Sequence, residues 1–171
     1  LCRDLAVALR ELGRYAESVD VAQNALAQEA TSADLWLAYG LALSSSSHYA
    51  RAVRAFLTSY RLNPRDANVL LNVGQSMMHA GRTETALNYF TQAHRRLPNS
   101  THVILALCEH YMSIDRPATV SALLNKALAL DPNDANVMDT YANVLARVSV
   151  YDRALSVRRR IVRLHPHLLQ H

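Results

Sequence analysis

Residues 33–66 read ADLWLAYGLALSSSSHYARAVRAFLTSYRLNPRD, and this stretch decides the fold of the chain. Its proline is the first of four that stand 34 residues apart, at Pro64, Pro98, Pro132 and Pro166. Other positions recur with the same period, and one such column contains Ser18, Ala52, Ala86, Val120 and Ala154. This period indicates an array of one supersecondary unit, in which neighbouring units complete each other's core. Because an array presents an extended surface, binding is favoured over catalysis.

Within one unit, the apolar residues have helical spacing. In residues 35–43 and 49–62 they recur three and four positions apart, and four serines separate the two stretches. Pro64 ends the second helix because it has no amide hydrogen to continue it. The following helix begins at a column suited to side-chain capping, with Ser32, Asp66, Ser100 and Asp134. We therefore predict helices over residues 1–13, 15–29, 33–46, 49–62, 67–80, 83–96, 101–114, 117–130, 135–148 and 151–164.

The repeat resembles the tetratricopeptide repeat. The signature of that family is present in the second repeat, residues 33–66, at Trp36, Tyr39, Gly40, Leu43, Ala52, Phe56 and Pro64. The resemblance covers the whole chain and implies an all-α fold, a right-handed αα-superhelix (solenoid) of about ten antiparallel helices. Small residues such as Gly40 and Ala86 would let the two helices of a unit approach closely. The pattern departs from the family at Cys108, Val120 and Arg158.

The period divides the chain into five repeat units within a single array over residues 1–171. The repeat units are residues 1–32, 33–66, 67–100, 101–134 and 135–168. Both ends of the sequence fall inside a helix of the repeat, and the first residue is not methionine. We interpret the sequence as an excerpt of a longer chain.

The composition narrows the class of protein. Half of the residues are apolar, yet no stretch approaches the ~18 uninterrupted apolar residues of a membrane span. The two cysteines, Cys2 and Cys108, lie about three units apart, which argues against an internal disulfide. Their small number favours a cytoplasmic location over an oxidising one, and nothing else in the sequence indicates a location.

No motif in the sequence indicates catalysis. A glycine-rich phosphate loop, paired metal-binding cysteines and a nucleophile elbow are all missing. His165, His167 and His171 cluster near the end of the sequence, and we interpret them as a polar end rather than a metal site. The sequence therefore predicts a protein that is not an enzyme and has no metal or cofactor, while a catalytic domain elsewhere in a longer chain stays open.

The resemblance implies that the first helix of each unit lines a concave groove that binds peptides. The lining positions are the second, fifth, sixth, ninth and thirteenth of a unit, which share one helix face. The candidate peptide-binding residues at these positions are Leu37, Leu41, Asn68, Leu71, Asn72, Gln75, His79, His102, Leu105, Glu109, Asn136, Asp139 and Asn143.

Two chemical groups stand out among these candidates. Leu37, Leu71 and Leu105 repeat at one position and could hold apolar side chains, although they could equally pack between neighbouring helices. Side-chain amides such as Asn72 carry both a donor and an acceptor, so they can bind a peptide backbone of any sequence. We predict a scaffold that binds a peptide or helix of a partner protein. The alternatives are a substrate-recruiting or oligomerising arm of a larger enzyme, of the glycosyl- or sulfotransferase type, and an assembly platform of a secretion or pilus apparatus.

Charge is unevenly distributed along the chain. The net charge is +4, and the unit 135–168 contains six arginines against two aspartates. A solvated outer face explains such a cluster, and a contact for an acidic partner at Arg158, Arg159 and Arg160 is the sharper interpretation. A nucleic-acid partner is disfavoured because the arginines are not interleaved with aromatic residues that could stack on bases.

Overall fold

The computed structural model describes residues 2–166, and within that range the chain is all-α, with ten helices and no strand. This confirms the predicted fold class. The helices are α1 (Cys2–Glu11), α2 (Tyr15–Gln28), α3 (Ala33–Ser45), α4 (Tyr49–Leu62), α5 (Asn68–His79), α6 (Thr83–Arg96), α7 (Thr101–Ser113), α8 (Pro117–Leu130), α9 (Ala135–Arg147) and α10 (Tyr151–Leu164).

The helix ends follow from the local sequence. Asp134 accepts hydrogen bonds through Oδ1 from the backbone N–H groups of Asn136 and Val137, at 2.9 and 3.1 Å. Asp66 accepts a hydrogen bond from the backbone N–H of Asn68 at 3.0 Å, and α5 begins at Asn68, one residue beyond its predicted start. Ser32 caps α3 by accepting from Leu35, whereas Ser100 makes no side-chain capping bond. Three of the four predicted caps therefore contribute to a helix start.

The turn between the two helices of each repeat has the same backbone conformation throughout. One residue per turn has a positive φ, between 55° and 76°, at Gly13, Ser47, Gly81, Asp115 and Ser149. The following N–H bonds back to a carbonyl five residues earlier, as in Arg82 to Met77 at 2.8 Å. This is the Schellman ending of a helix, in which glycine is favoured because it lacks a Cβ. It explains why two of the four glycines recur at this column.

The chain divides into two compact units, residues 1–96 and 97–171. In the first unit, helices α1 to α6 pack in sequence, and α3 also contacts α1 and α5. Its core includes Leu43, Val53, Phe56 and Val73, all nearly fully buried. A Cβ added to Gly40 would lie 2.5 Å from the ring of Phe56, so this glycine allows the close contact that the sequence predicts.

The second unit contains α7 to α10, and α7 also contacts α9. Its core has Ile104, Val120, Val137 and Val144 around Cys108 and Leu124. Leu124 takes the repeat position of Phe56, and Cys108 takes that of Gly40. Leucine is smaller than phenylalanine, which leaves room in this core for a cysteine where the earlier repeat has glycine. Burial raises the pKa of the Cys108 thiol to about 12, as expected for a cysteine that serves as a small apolar residue.

None of the helices in the described range 2–166 is both long and apolar enough to cross a membrane. The same residues contain no group of three or more His, Cys, Asp or Glu side chains that could hold a metal ion. Of the histidines grouped near the end of the sequence, His165 contacts the carbonyl oxygen of Asn133 at 2.8 Å, while His167 and His171 lie outside the described residues.

Candidate functional site

The candidate side chains on α5 form one polar ridge. Asn68, Asn72 and Gln75 are four and three residues apart, which places them on the same helix face. We call these three residues the amide ridge. Asn68 is exposed, and Asn72 and Gln75 are half-buried. Within the described residues, none of the three side-chain amides makes a hydrogen bond, so each has its donor and acceptor available.

His79 continues the same helix face but is occupied. Its exposed imidazole stacks on the ring of Tyr49, with the ring centroids 5.2 Å apart and the planes 24° from parallel. This contact ties the end of α5 to the start of α4. His79 therefore lies at the predicted position but has a structural contact there.

The leucines beside the amide ridge are divided between core and surface. Leu37 and Leu41 on α3 are half-buried and pack against the core of the first unit. Leu71 on α5 is only 9% exposed, so it belongs mainly to the core. The hydroxyls of Ser44 and Ser76 approach within 3.4 Å between the same two helices. Of the candidate leucines on α3 and α5, Leu37 and Leu41 therefore keep more apolar surface than Leu71.

Sequence reasoning did not foresee an ion-pair group where α1 meets α3. Arg3 donates to Asp34 at 3.3 Å and to its neighbour Asp4 at 3.0 Å. The hydrogen bond from Arg3 and its charge lower the pKa of the Asp4 carboxyl. A cleft of about 370 Å³ opens beside these residues, lined also by Gln28 and Ser32. Both Arg3 and Asp34 fall on groove positions, which is the signal that could have identified the pair.

In the second unit, the candidates on α7 remain exposed at their polar positions. His102 and Glu109 are exposed, while Leu105 is half-buried against the core. On α9, Asn136 is exposed and its backbone N–H is bound by the Asp134 carboxylate. These helices therefore offer separate polar groups and one partly buried apolar side chain, that of Leu105.

Asn143 has both ends of its amide engaged. Its Nδ2 donates to Asp139 at 3.2 Å, and its Oδ1 accepts from Arg158 at 2.6 Å. Arg160 donates to the side chain of Asn133 at 3.2 Å. Arg158 and Arg160, two of the three arginines proposed for an acidic partner, are therefore bound to asparagines, although both arginines remain exposed. For Arg158, the polar Asn143 on the preceding helix α9 was a signal that the sequence carried.

Arg147 is a further groove-position residue that connects helices. It donates to the Asp115 carboxylate at 3.0 Å and to the carbonyl of Met112 at 3.4 Å. The interaction ties the end of α9 to the end of α7, which orients the two groove-lining helices of the second unit relative to each other.

Helix pairs that follow a 34-residue period, each joined by a turn with one residue at positive φ, define a helical-repeat protein. The family follows from comparison with known sequences. One model of the tetratricopeptide repeat matches residues 40–101 and another matches residues 77–144, so together they span most of the chain. The chain belongs to the tetratricopeptide repeat family. Repeats of this family are generally non-catalytic and typically mediate protein–protein interaction. No curated protein matches the sequence.

Solved structures agree with this assignment at the level of the fold. A thermophilic tetratricopeptide repeat protein of Thermus thermophilus is similar with a TM-score of 0.82 and 19% identity, over 96% of this chain and 90% of that one. PilF of Pseudomonas aeruginosa gives a TM-score of 0.81 at 20% identity, over 95% and 74% of the two chains. MamA of Desulfovibrio magneticus gives 0.77 at 17% identity, over 98% and 94%.

Proposed function

We propose that this chain is an interaction scaffold whose groove-lining helices bind a peptide or helical segment of a partner protein. The observation that carries the proposal is the amide ridge of α5. Three side-chain amides lie in a row with no hydrogen-bond partner in the described chain, and α3, which contacts α5, carries the half-buried Leu37 and Leu41. Unpaired amides beside apolar surface are the groups that a peptide backbone and its apolar side chains would satisfy.

The amide ridge suits an extended segment. Asn68 and Gln75 are seven residues apart on a helix, which corresponds to about 10 Å. An extended backbone covers that length with about three residues, each bringing one N–H and one C=O. The amides would bind these groups whatever the peptide sequence is, and Leu37 and Leu41 would select for an apolar side chain.

The second unit supports binding of the same kind through different chemistry. On α7, the polar His102 and Glu109 lie three and four residues from the half-buried Leu105, and α9 carries the exposed Asn136. Asn143 and Asp139 bind one another and so contribute less to a ligand. We expect this unit to prefer a segment with polar side chains around one apolar residue.

Asn72→Ala tests the proposal. A library of random twelve-residue peptides would be selected against the immobilised chain, and the strongest binders would then be titrated by fluorescence anisotropy. We expect the selected peptides to contain apolar residues. Loss of one amide contact costs ~0.5–1.5 kcal/mol, so Asn72→Ala should weaken binding by several-fold to about tenfold.

Asn88→Ala is the matched control, because Asn88 is an exposed asparagine on α6 and is not a groove position. Circular dichroism establishes that each variant is folded. Equal affinities of the wild type and Asn72→Ala would place the peptide away from the amide ridge. A selection that yields no binder at all would count against peptide binding by this chain.

A further inference from the structure

The helix α4 has a charge pattern unlike the rest of the first unit. The sequence has no Asp or Glu from residue 35 to residue 65, and this stretch contains four arginines. Arg51, Arg54 and Arg61 lie three and seven residues apart on the exposed side of α4, and we call them the arginine ridge. Among the described residues, no carboxylate pairs with any of the three. Their mutual repulsion is therefore uncompensated within this unit.

Clefts connect the arginine ridge to neighbouring elements. Arg54 lies at the wall of three of them. The first, of about 230 Å³, has Arg51 beside Trp36 and Tyr39. The second, of about 220 Å³, has Arg82 beside Met77. Arg54 thus stands where surface contributed by α3, α4 and α5 meets, and none of these clefts includes a residue of the amide ridge.

The third cleft is the largest and has an aromatic wall. It has a volume of about 540 Å³ and is lined by Arg54, Leu57, Thr58, Tyr60 and Arg61. Arg61 donates to the Thr58 hydroxyl at 3.1 Å, which holds its guanidinium at the rim. Arg96 lies over the ring of Tyr60, with its central guanidinium carbon 5.5 Å from the ring centroid. The cleft therefore combines apolar walls with cations at its edge.

We propose that this face of α4 is a second docking surface, separate from the amide ridge, and that its occupant is an acidic segment of a protein. Guanidinium groups bind carboxylates through paired hydrogen bonds, and several cations without a carboxylate partner favour a ligand with several carboxylates. The ridge from Arg51 to Arg61 is about 15 Å long, so an extended segment of about five residues would span it. Apolar side chains of the same segment would enter the clefts beside Leu57 and Met77.

A nucleic acid fits this surface less well. Binding of single strands uses exposed aromatic faces on which bases stack. Here Tyr60 is half-buried and faces Arg96, while Trp36 and Tyr39 are half-buried and pack edge to face with centroids 6.1 Å apart. The acidic peptide is therefore the favoured ligand, and an oligonucleotide serves as the competing outcome.

The test uses a fluorescein-labelled ten-residue peptide of glutamates with two leucines, titrated against the full chain by fluorescence anisotropy. The double variant Arg54→Glu with Arg61→Glu should weaken binding at least tenfold. The control Arg153→Glu with Arg163→Glu changes the net charge equally on the exposed side of α10, outside the Arg158 to Arg160 cluster, and should weaken binding less than twofold. Asn72→Ala should leave the affinity unchanged, which separates this surface from the proposed peptide groove.

Equal losses in the two double variants would mean that net charge alone attracts the peptide, and would overturn the proposal. Loss of binding in Asn72→Ala would also overturn it, because the peptide would then lie on α5. Tighter binding of a labelled ten-nucleotide oligothymidine than of the peptide would reject the choice of partner. Arg54→Gln with Arg61→Gln removes the charges without reversing them, and it replaces the glutamate variant in the same titration if that variant does not fold.

Discussion

At the residue scale, burial determines what each cysteine can do. Cys108 is fully buried in the second unit, with its Sγ 4.0 Å from the carbonyl oxygen of Val120. The same burial raises the pKa of its thiol to about 12, whereas Cys2 is exposed. The thiolate is the reactive form of a cysteine, so the two should differ greatly in reactivity at pH 8.

We predict that one thiol per folded chain reacts with Ellman's reagent at pH 8, and that the second reacts only after unfolding in guanidinium chloride. The release of thionitrobenzoate measures both. Cys2→Ser should abolish the reaction of the folded chain, and Cys108→Ser should abolish the additional reaction that follows unfolding. Two rapidly reacting thiols in the folded wild type would contradict the burial of Cys108.

At the element scale, small residues determine how closely the paired helices pack. Ala52 on α4 is completely buried and belongs to the core cluster with Phe56. Ala50 lies two residues earlier on the same helix and is exposed. The two alanines are matched in type and in helix, so one substitution can be compared in two environments.

Ala52→Leu should lower the free energy of unfolding by about 1–3 kcal/mol, because a larger side chain overpacks the core. Ala50→Leu should change it by less than about 0.5 kcal/mol, as surface substitutions usually do. Urea unfolding followed by circular dichroism measures both values. Equal stability of Ala52→Leu and the wild type would show that the helix crossing is not limited by the size of residue 52.

At the scale of the whole molecule, we expect stability to depend on contacts between neighbouring helices rather than on one common core. In a linear array, each element contacts mainly the elements next to it, so a local defect spreads only a short way. The core of the second unit, with its fully buried Leu124, lies entirely within residues 97–171.

Leu124→Ala should therefore weaken α7 to α9 selectively. Removing this side chain costs about 2–5 kcal/mol, which should speed amide hydrogen exchange in those helices at least tenfold. Exchange in α3 and α4 should change by less than twofold. Leu130→Ala on the same helix, where the leucine is 43% exposed, is the control. A uniform increase across all helices would indicate a single cooperative structure and reject the prediction.

The helices and their order follow from local sequence signals. The recurring prolines, the capping column and the two glycine columns are local signals, since a helix and its ends depend on residues within a few positions of one another. The predicted helix ends agree with the structure to within about two residues over the described range. The groove positions came from the resemblance to the tetratricopeptide repeat, and their use in binding stays a prediction.

The tertiary structure decided which of the candidate side chains are available. It buried Leu71, stacked His79 on Tyr49 and bound Asn143 to Arg158. It also gathered Arg82 and Arg54 around one cleft, although they are 28 residues apart. These contacts join helices through side chains distant in sequence, and helical periodicity carries no information about them. Burial and pairing depend on such contacts, so only the packed structure could decide them.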